Sequence, residues 1–462
     1  MKKIIKIVNN KYFAFCLCFI CFFISVYNID IILGSGDADE TVKVIKSFFT
    51  NNVYGSYVMY KGFYAFLPGI ICNIFANLSG ISIFFFWKIL KSIAFAYVAT
   101  IGLPFMFEKI FKYKVKYWQK YLFAIFLYFL ERGIFYLISV DLTNCVLLII
   151  AINQTIKLSE RYSHKLCFLT GLLFGIEACL SGQYTISIYI LILFLFIQLI
   201  KNSKKNIKRM ILVFLVFILG FGITKTIDIS FEKFVVGKCR ENGYNIPSKS
   251  YWFNHGLSAQ MIQINYPIHL EDKLSQAIAR DDSEECYNLL LQGNDVYTIK
   301  YYIKMILRHP IAFVVRWTER LYIGIVNDPI GAFGIPVEPL WFVISFMGVC
   351  LYVLLYYLRK NIKKIKDLFS LPAFIFYSVL FSALVPSFGH VENRYYLTSR
   401  VFLIGLLFFS PLIPNYIKKI KDKKVKFTNI NMELISCFIF IIICLVVYFA
   451  IYQNMSDAIL KK

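Results

Sequence analysis

Phe63-Tyr64-Ala65-Phe66-Leu67-Pro68-Gly69-Ile70-Ile71-Cys72-Asn73-Ile74-Phe75-Ala76-Asn77-Leu78-Ser79 is apolar enough to cross a membrane, and whether it does decides the fold. Around it lie other apolar runs of about 20 residues, the length a bilayer crossing requires. They fall near 12–33, 82–107, 119–139, 142–157, 166–181, 183–200, 210–227, 338–358, 369–388, 396–414 and 431–452. Between them sit six basic clusters: Lys2 to Lys11, Lys109 to Lys120, Lys157 to Lys165, Lys201 to Arg209, Arg359 to Lys366 and Lys418 to Lys426. If 63–79 stays on one side of the bilayer, all six fall on the cytoplasmic side, as the positive-inside rule requires. If it crosses, every later cluster flips outside. The rule therefore predicts an all-α integral membrane protein with about 11 transmembrane helices and a cytoplasmic N-terminus.

The stretch also has the pattern of a helix lying on the membrane. Phe63, Leu67, Ile70, Ile71, Ile74 and Leu78 make one apolar face, with Gly69, Asn73 and Asn77 opposite. Just upstream, Val42, Ile45, Phe48 and Phe49 face one side of a second expected helix, with Lys43, Lys46 and Ser47 on the other. The first outer loop, 34–81, is thus read as two interfacial helices joined by a turn at Asn51 to Gly55. It belongs to an N-terminal transmembrane module, 1–227. The hydrophilic segment 228–337 follows as an extracytoplasmic loop, and 338–462 forms a C-terminal transmembrane module. The end of the loop, Ile299 to Ile325, is amphipathic and is expected to lie along the membrane.

Composition agrees with that class. Of 462 residues, 59% are hydrophobic, 18% aromatic and 17% charged, with a mean hydropathy of +0.64. The net charge of +23 resides mostly in the clusters between spans, so it reports topology rather than a nucleic-acid partner. The bias toward Lys, Ile, Phe and Asn suits an AT-rich bacterial genome. The first run, Tyr12 to Leu33, exceeds a signal-peptide core and reads as an uncleaved span. Twelve cysteines form no metal or redox framework: the C-x-x-C of Cys18 and Cys21 lies inside an apolar span. Cys239 and Cys286 are placed to pair if their loop is extracytoplasmic. No internal repeat is apparent, which disfavours inverted-repeat transporters.

Chemistry concentrates at the expected outer face. Gly36-Asp37-Ala38-Asp39-Glu40 puts three carboxylates directly after the first span. One of Asp37, Asp39 and Glu40 suits a general base on an acceptor hydroxyl, and Asp37 with Asp39 suits a divalent cation. The competing reading is an N-cap for a helix beginning near Glu40. His390-Val391-Glu392-Asn393-Arg394-Tyr395-Tyr396 lies between two late spans on the same side. Arg394 offers a planar fork of donors for a phosphate, His390 and Glu392 can orient it or contact a sugar, and Tyr395 with Tyr396 can anchor at headgroup level. Lys61, and Lys88 and Lys91 within the second span, are further cationic candidates, since ionisable groups inside spans are costly. Asp141 ends the third span on the same side. Trp252, His255 and His309 stand out in the large loop but form no H-E-x-x-H, spaced metal cluster or G-x-S-x-G elbow.

The layout resembles the GT-C class of membrane glycosyltransferases, notably relatives of protein O-mannosyltransferases and aminoarabinose transferases. The matching elements are the acidic motif Gly36 to Glu40, then Tyr60-Lys61-Gly62-Phe63 through Leu67-Pro68, and the late Glu392-Asn393-Arg394-Tyr395. His309-Pro310, on the amphipathic approach to the late spans, is similar to related bacterial members. Two features depart from the pattern. No His-x-Pro-Leu element precedes the second interfacial helix, where Lys61 stands instead, and no large soluble C-terminal domain of an oligosaccharyltransferase is present. The resemblance implies a polyprenyl-phosphate-linked sugar as donor and a cell-envelope lipid, glycan or protein as acceptor. Asp39 would be the base, with Asp37 as second choice; Arg394, Lys61, Lys88 and Lys91 would hold the phosphate; His390, Glu392 and Tyr395 would bind substrate. A divalent cation is compatible but not required. The alternatives are a flippase or exporter of lipid-linked saccharide, and a polysaccharide polymerase or ligase.

Overall fold

A computed structural model of the chain describes residues 9–29, 36–47, 58–136, 141–180, 182–202, 207–241, 243, 249–260, 263–265, 270–292, 294, 296, 298–326, 340–361, 365–388, 393–421, 427–453 and 455–456. Helices occupy all of the apolar runs anticipated from sequence. They are α1 (Lys11–Tyr27), α4 (Ile83–Phe111), α5 (Tyr117–Glu131), α6 (Asp141–Glu160), α7 (His164–Leu180), α8 (Gly182–Asn202), α9 (Ile207–Glu241), α15 (Leu340–Asn361), α16 (Leu371–Leu384), α17 (Leu397–Phe409) and α19 (Phe427–Gln453). The first loop holds α2 (Gly36–Ser47) and α3 (Val58–Ser79). The large loop holds α10 (Lys249–Gln260), α11 (Lys273–Asp282), α12 (Glu284–Leu291), α13 (Ile299–Arg308) and α14 (Pro310–Val326), and α18 (Leu412–Lys421) precedes the last long helix. The only strands among the described residues are β1 (Gln263–Asn265), β2 (Leu270–Asp272) and β3 (Met455–Ser456), which form a small antiparallel ribbon. Nine helices among the described residues are long and apolar enough to cross a membrane; they include Gly62–Ser79 of α3, and α1, α5 and α7 are shorter than that set. The architecture is that of an α-helical multi-pass membrane protein.

The described parts of the basic clusters gather at one end of the bundle. Lys109 and Glu160 pair at 2.8 Å, joining the ends of α4 and α6. Gln119, at the start of α5, donates to the Phe408 carbonyl at the end of α17, and Phe111 meets Tyr357 of α15 at 4.7 Å between ring centroids. Cys167 and Val213 join the starts of α7 and α9. α1 runs antiparallel to α4, with Phe22 against Phe95 and Lys88 bonded to the Tyr27 carbonyl, so Lys11 lies at this lysine-rich end too.

Both termini of α3 sit at the opposite end. Gly62 adopts a positive φ of 66°, which sets the chain into the helix. The next amide, Phe63 N–H, donates to Asp228 of α9 at 2.8 Å, so a carboxylate from another helix caps α3. Tyr64 donates to the Thr224 carbonyl at 3.1 Å. At its other terminus α3 turns through Gly80 into Ser82, which caps α4 beside the Lys88–Tyr27 bond. Gly62–Ser79 is thus long and apolar enough to cross a membrane, yet its two ends bond to groups at the same end of the bundle.

Its faces follow the expected division at Ile71, Ile74 and Leu78, which are exposed, and at Gly69 and Asn73, which are buried, and depart from it at Ile70 and Asn77. Phe66, Gly69, Ile70, Asn73 and Ala76 pack inward, and Ile71, Ile74, Phe75 and Leu78 point away from the protein. Gly69 admits the Ile45 side chain of α2, and Asn73 Nδ2 donates to the Ile45 carbonyl at 3.3 Å. A protein next to lipid turns its bulky apolar side outward and uses small and polar residues to contact its own helices. On α2 the expectation holds for the described side chains: Val42 and Ile45 are buried, Lys43 and Lys46 exposed.

Glycine sets the closest helix pair. In Gly171-Leu172-Leu173-Phe174-Gly175, a Cβ on Gly171 would lie 2.3 Å from the Phe217 carbonyl oxygen and one on Gly175 1.7 Å from Thr224 Oγ1. Gly220 answers from α9, 2.4 Å from the Phe168 carbonyl oxygen by the same measure. This is a small-xxx-small contact, in which the absence of side chains lets two backbones approach. α9 is about 52 Å long by its residue count and runs to Glu241, so the boundary expected at 227/228 falls inside a helix. In α4 a π turn spans Val98–Gly102; Lys120 and Asn153 donate to the Thr100 and Gly102 carbonyls, each at 2.9 Å, which satisfies backbone the turn frees. α17 is the hub: every residue from Leu397 to Phe409 is buried.

Candidate functional site

The end of the bundle away from the lysines carries a buried cluster of charge. Arg400, three residues into α17, makes a two-pronged bond to Glu131 at the end of α5: Nε to Oε1 at 2.8 Å and Nη2 to Oε2 at 2.9 Å. Its Nη1 donates to the Gly324 carbonyl of α14 at 3.1 Å. Both charged side chains are about as inaccessible as core leucines, 2% and 1% exposed. A pair so deep survives only with this geometry, because desolvation costs several kcal/mol per ion. Gly324 is required there, since a Cβ would lie 2.3 Å from the Tyr396 ring.

Arg320 and Arg316 arrive on the same helix, α14. Arg320 donates to Ser275 Oγ at 2.8 Å, and Arg316 pairs with Glu319 at 2.5 Å. Burial pushes the Tyr302 hydroxyl up to about 12, although the neighbouring Arg320 pulls it down. Tyr396 is buried close to both Arg320 and Arg400. Its hydroxyl and the Arg132 Nε have no hydrogen-bond partner among the described residues. Beside them, Tyr184 and Thr398 share a 2.9 Å hydroxyl bond, and Gln183 donates to the Tyr395 carbonyl at 3.3 Å.

Five residues anticipated from sequence belong to this cluster: Tyr396, Asp141, Arg394, Lys91 and Tyr395. Arg394 lies 3.9 Å from Asp141 and packs over the Tyr395 ring at 5.4 Å. Lys91, 4% exposed, donates to the Ile134 carbonyl and feels the Asp141 charge. Tyr395 is half-buried beneath Arg394, a stacking platform as well as an anchor. Lys88 stands apart: its ammonium donates to the Tyr27 carbonyl at 2.7 Å and ends α1. His390 and Glu392 lie outside the described residues.

The acidic motif is helical. α2 spans Gly36–Ser47, so Asp37 and Asp39 lie in its first turn, where the helix dipole favours negative charge, and Glu40 begins the second. Positions 37 and 40 share a face of that helix and 39 lies on another. The side chains of these three, and that of Lys61 just before the Gly62 turn, lie outside the described residues. Among the described residues no three His, Cys, Asp or Glu side chains gather as a metal site. Cys286 is a free thiol, and the Cys239 side chain is outside the described set.

Glu131, Arg400, Arg316, Arg320 and Arg132 were not singled out from sequence. Arg400 and Glu131 carry a visible signal, since both interrupt apolar runs, the same rule that marked Lys88 and Lys91. Glu177, wholly buried in α7 with both oxygens unpartnered among the described residues, carries that signal too. Arg316 and Arg320 look in sequence like the polar side of an amphipathic helix. Comparison of the chain with protein-family models, curated proteins and solved structures finds no match.

Proposed function

We infer that the chain is a membrane glycosyltransferase, which moves a sugar from a polyprenyl-phosphate-linked donor to a cell-envelope acceptor at the extracytoplasmic face. The observation that carries the reading is the sidedness of charge. The acid-bearing loop and a cationic cluster of Lys91, Arg132, Arg316, Arg320, Arg394 and Arg400 share one end of the bundle, and the lysine-rich connections share the other.

In this reading Asp39 takes the proton of the acceptor hydroxyl, whose oxygen attacks the anomeric carbon. The bond from that carbon to the phosphate oxygen breaks, with inversion, and polyprenyl phosphate leaves. Arg394, with Lys91 and Arg132 nearby, stabilises the charge arriving on the phosphate, the electrostatic contribution that usually dominates such catalysis. Tyr395 supplies a flat surface for a sugar or for the guanidinium itself. His390 and Glu392 complete substrate binding, and Lys61 stands where the first interfacial segment turns into α3. The flippase alternative calls for charge through the middle of the membrane. The buried ionisable residues Lys91, Glu131, Asp141, Glu177 and Arg400 instead lie within a few turns of one end, and buried Lys120 sits at the start of α5 at the other.

The test is transfer by purified protein supplied with polyprenyl-phosphate sugars, with and without chelator. Release of polyprenyl phosphate coupled to acceptor glycosylation is expected. Movement of intact donor across vesicle bilayers with no sugar released would establish the flippase instead. Transfer by both Asp39→Asn and Asp37→Asn at the parental rate would remove the base assignment.

A further inference from the structure

At the lysine-rich end, α6, α7, α8 and α9 do not close completely. They leave a crevice with a cavity of about 100 Å³, lined by Leu158, Cys167, Leu195, Leu199, Val213 and Phe217. Phe196 and Phe214 flank it, ring centroids 6.4 Å apart and both exposed on the outer surface of the bundle. The lining from Ile192 to Leu199 spans about 10 Å of helix. Polar groups of the lining come from Ser159, Tyr162 and Gln198, close to the helix ends.

Beside those ends stand Arg161, Lys165, Lys201 and Lys208, all exposed. None of the four makes an ion pair among the described residues. The nearest acid in sequence, Glu160, is already held by Lys109 at 2.8 Å. An apolar slot that opens sideways from a membrane helix bundle, with unspent cations at its headgroup end, matches a molecule with an alkyl chain and an anionic head. We propose that this crevice binds one anionic phospholipid, an acyl chain between α8 and α9 and its phosphate among Arg161, Lys165, Lys201 and Lys208. The crevice and the Arg394 cluster are at opposite ends of the bundle, so this site is separate from the sugar-transfer reading.

The full chain, purified in mild detergent and supplied with phosphatidylglycerol or phosphatidylcholine, tests the site by native mass spectrometry. One phosphatidylglycerol is expected to remain bound where phosphatidylcholine is shed. Arg161→Gln with Lys201→Gln, both on the surface, is expected to weaken phosphatidylglycerol roughly tenfold, since each cation near an anionic headgroup contributes to binding. Leu195→Trp fills the slot with the charges intact and is expected to abolish retention, with thermal melting to confirm the fold. Equal retention of the two lipids, or undiminished phosphatidylglycerol on the surface double variant, overturns the proposal whatever becomes of Leu195→Trp.

Discussion

Arg400 and Glu131 show how much one buried residue can hold. Removing either leaves its partner charged in a dry setting, which costs about 3–5 kcal/mol. Arg400→Met and Glu131→Gln should each lower the melting temperature sharply in detergent, and Arg400→Met with Glu131→Leu should recover much of the loss. A double variant no more stable than its parents would mean the pair is not an isolated unit. Arg394 serves as the contrast, since it lies at the edge of the cluster with a long contact to Asp141. Arg394→Lys keeps the charge but loses the planar fork. It should leave stability within about 0.5 kcal/mol while slowing sugar transfer by a factor of about 100 or more, read by comparing melting with turnover. Asp39→Asn should slow transfer by about 100-fold or more at unchanged protein level. The pairing of Arg400 with Glu131 was not legible in the sequence, where 269 positions separate them; only the oddity of each charge in its apolar run was.

At the scale of elements, α3 depends on a partner helix for its start. Asp228→Ala removes the cap on Phe63 N–H and should cost about 1 kcal/mol, loosening α3 at Gly62 so that proteolysis near that turn accelerates. Unchanged proteolysis would show that Tyr64 and the apolar packing hold α3 unaided. The α7–α9 pair depends on missing side chains. Gly175→Leu drives a side chain into Thr224 and the Phe221 carbonyl and should abolish folded protein on size-exclusion chromatography, whereas Gly182→Leu, with open space around it, should not. The periodicity of α2 was readable because its polar residues are charged and stay in water. That of α3 was readable in most of its positions, with Ile71, Ile74 and Leu78 on the outer face and Gly69 and Asn73 against the protein. Ile70, which packs inward, and Asn77, which is exposed, depart from it because contact with α2 and α4 selects residues by fit rather than by polarity.

For the molecule as a whole, sidedness is the property to measure. Asn77→Cys, exposed near the end of α3, in a cysteine-free background should react with an impermeant maleimide added outside intact cells. Ser163→Cys, in the lysine-rich connection between α6 and α7, should react only after lysis. The reverse pattern would invert the bundle and move the candidate site to the cytoplasmic face.

By itself the sequence determined that this is a polytopic helical membrane protein and how its connections divide between two ends. Both follow from local chemistry: a run of about 20 apolar residues has one favourable solvent, and lysine clusters resist translocation. Tertiary structure alone decided what holds the start of 63–79, the Asp228 carboxylate of α9 that caps Phe63. It also decided that α14 delivers Arg316, Arg320 and the Gly324 carbonyl to Arg400 of α17. Those outcomes depend on which distant groups meet, and hydrogen bonds and ion pairs between spans are specific to partners that no local pattern names.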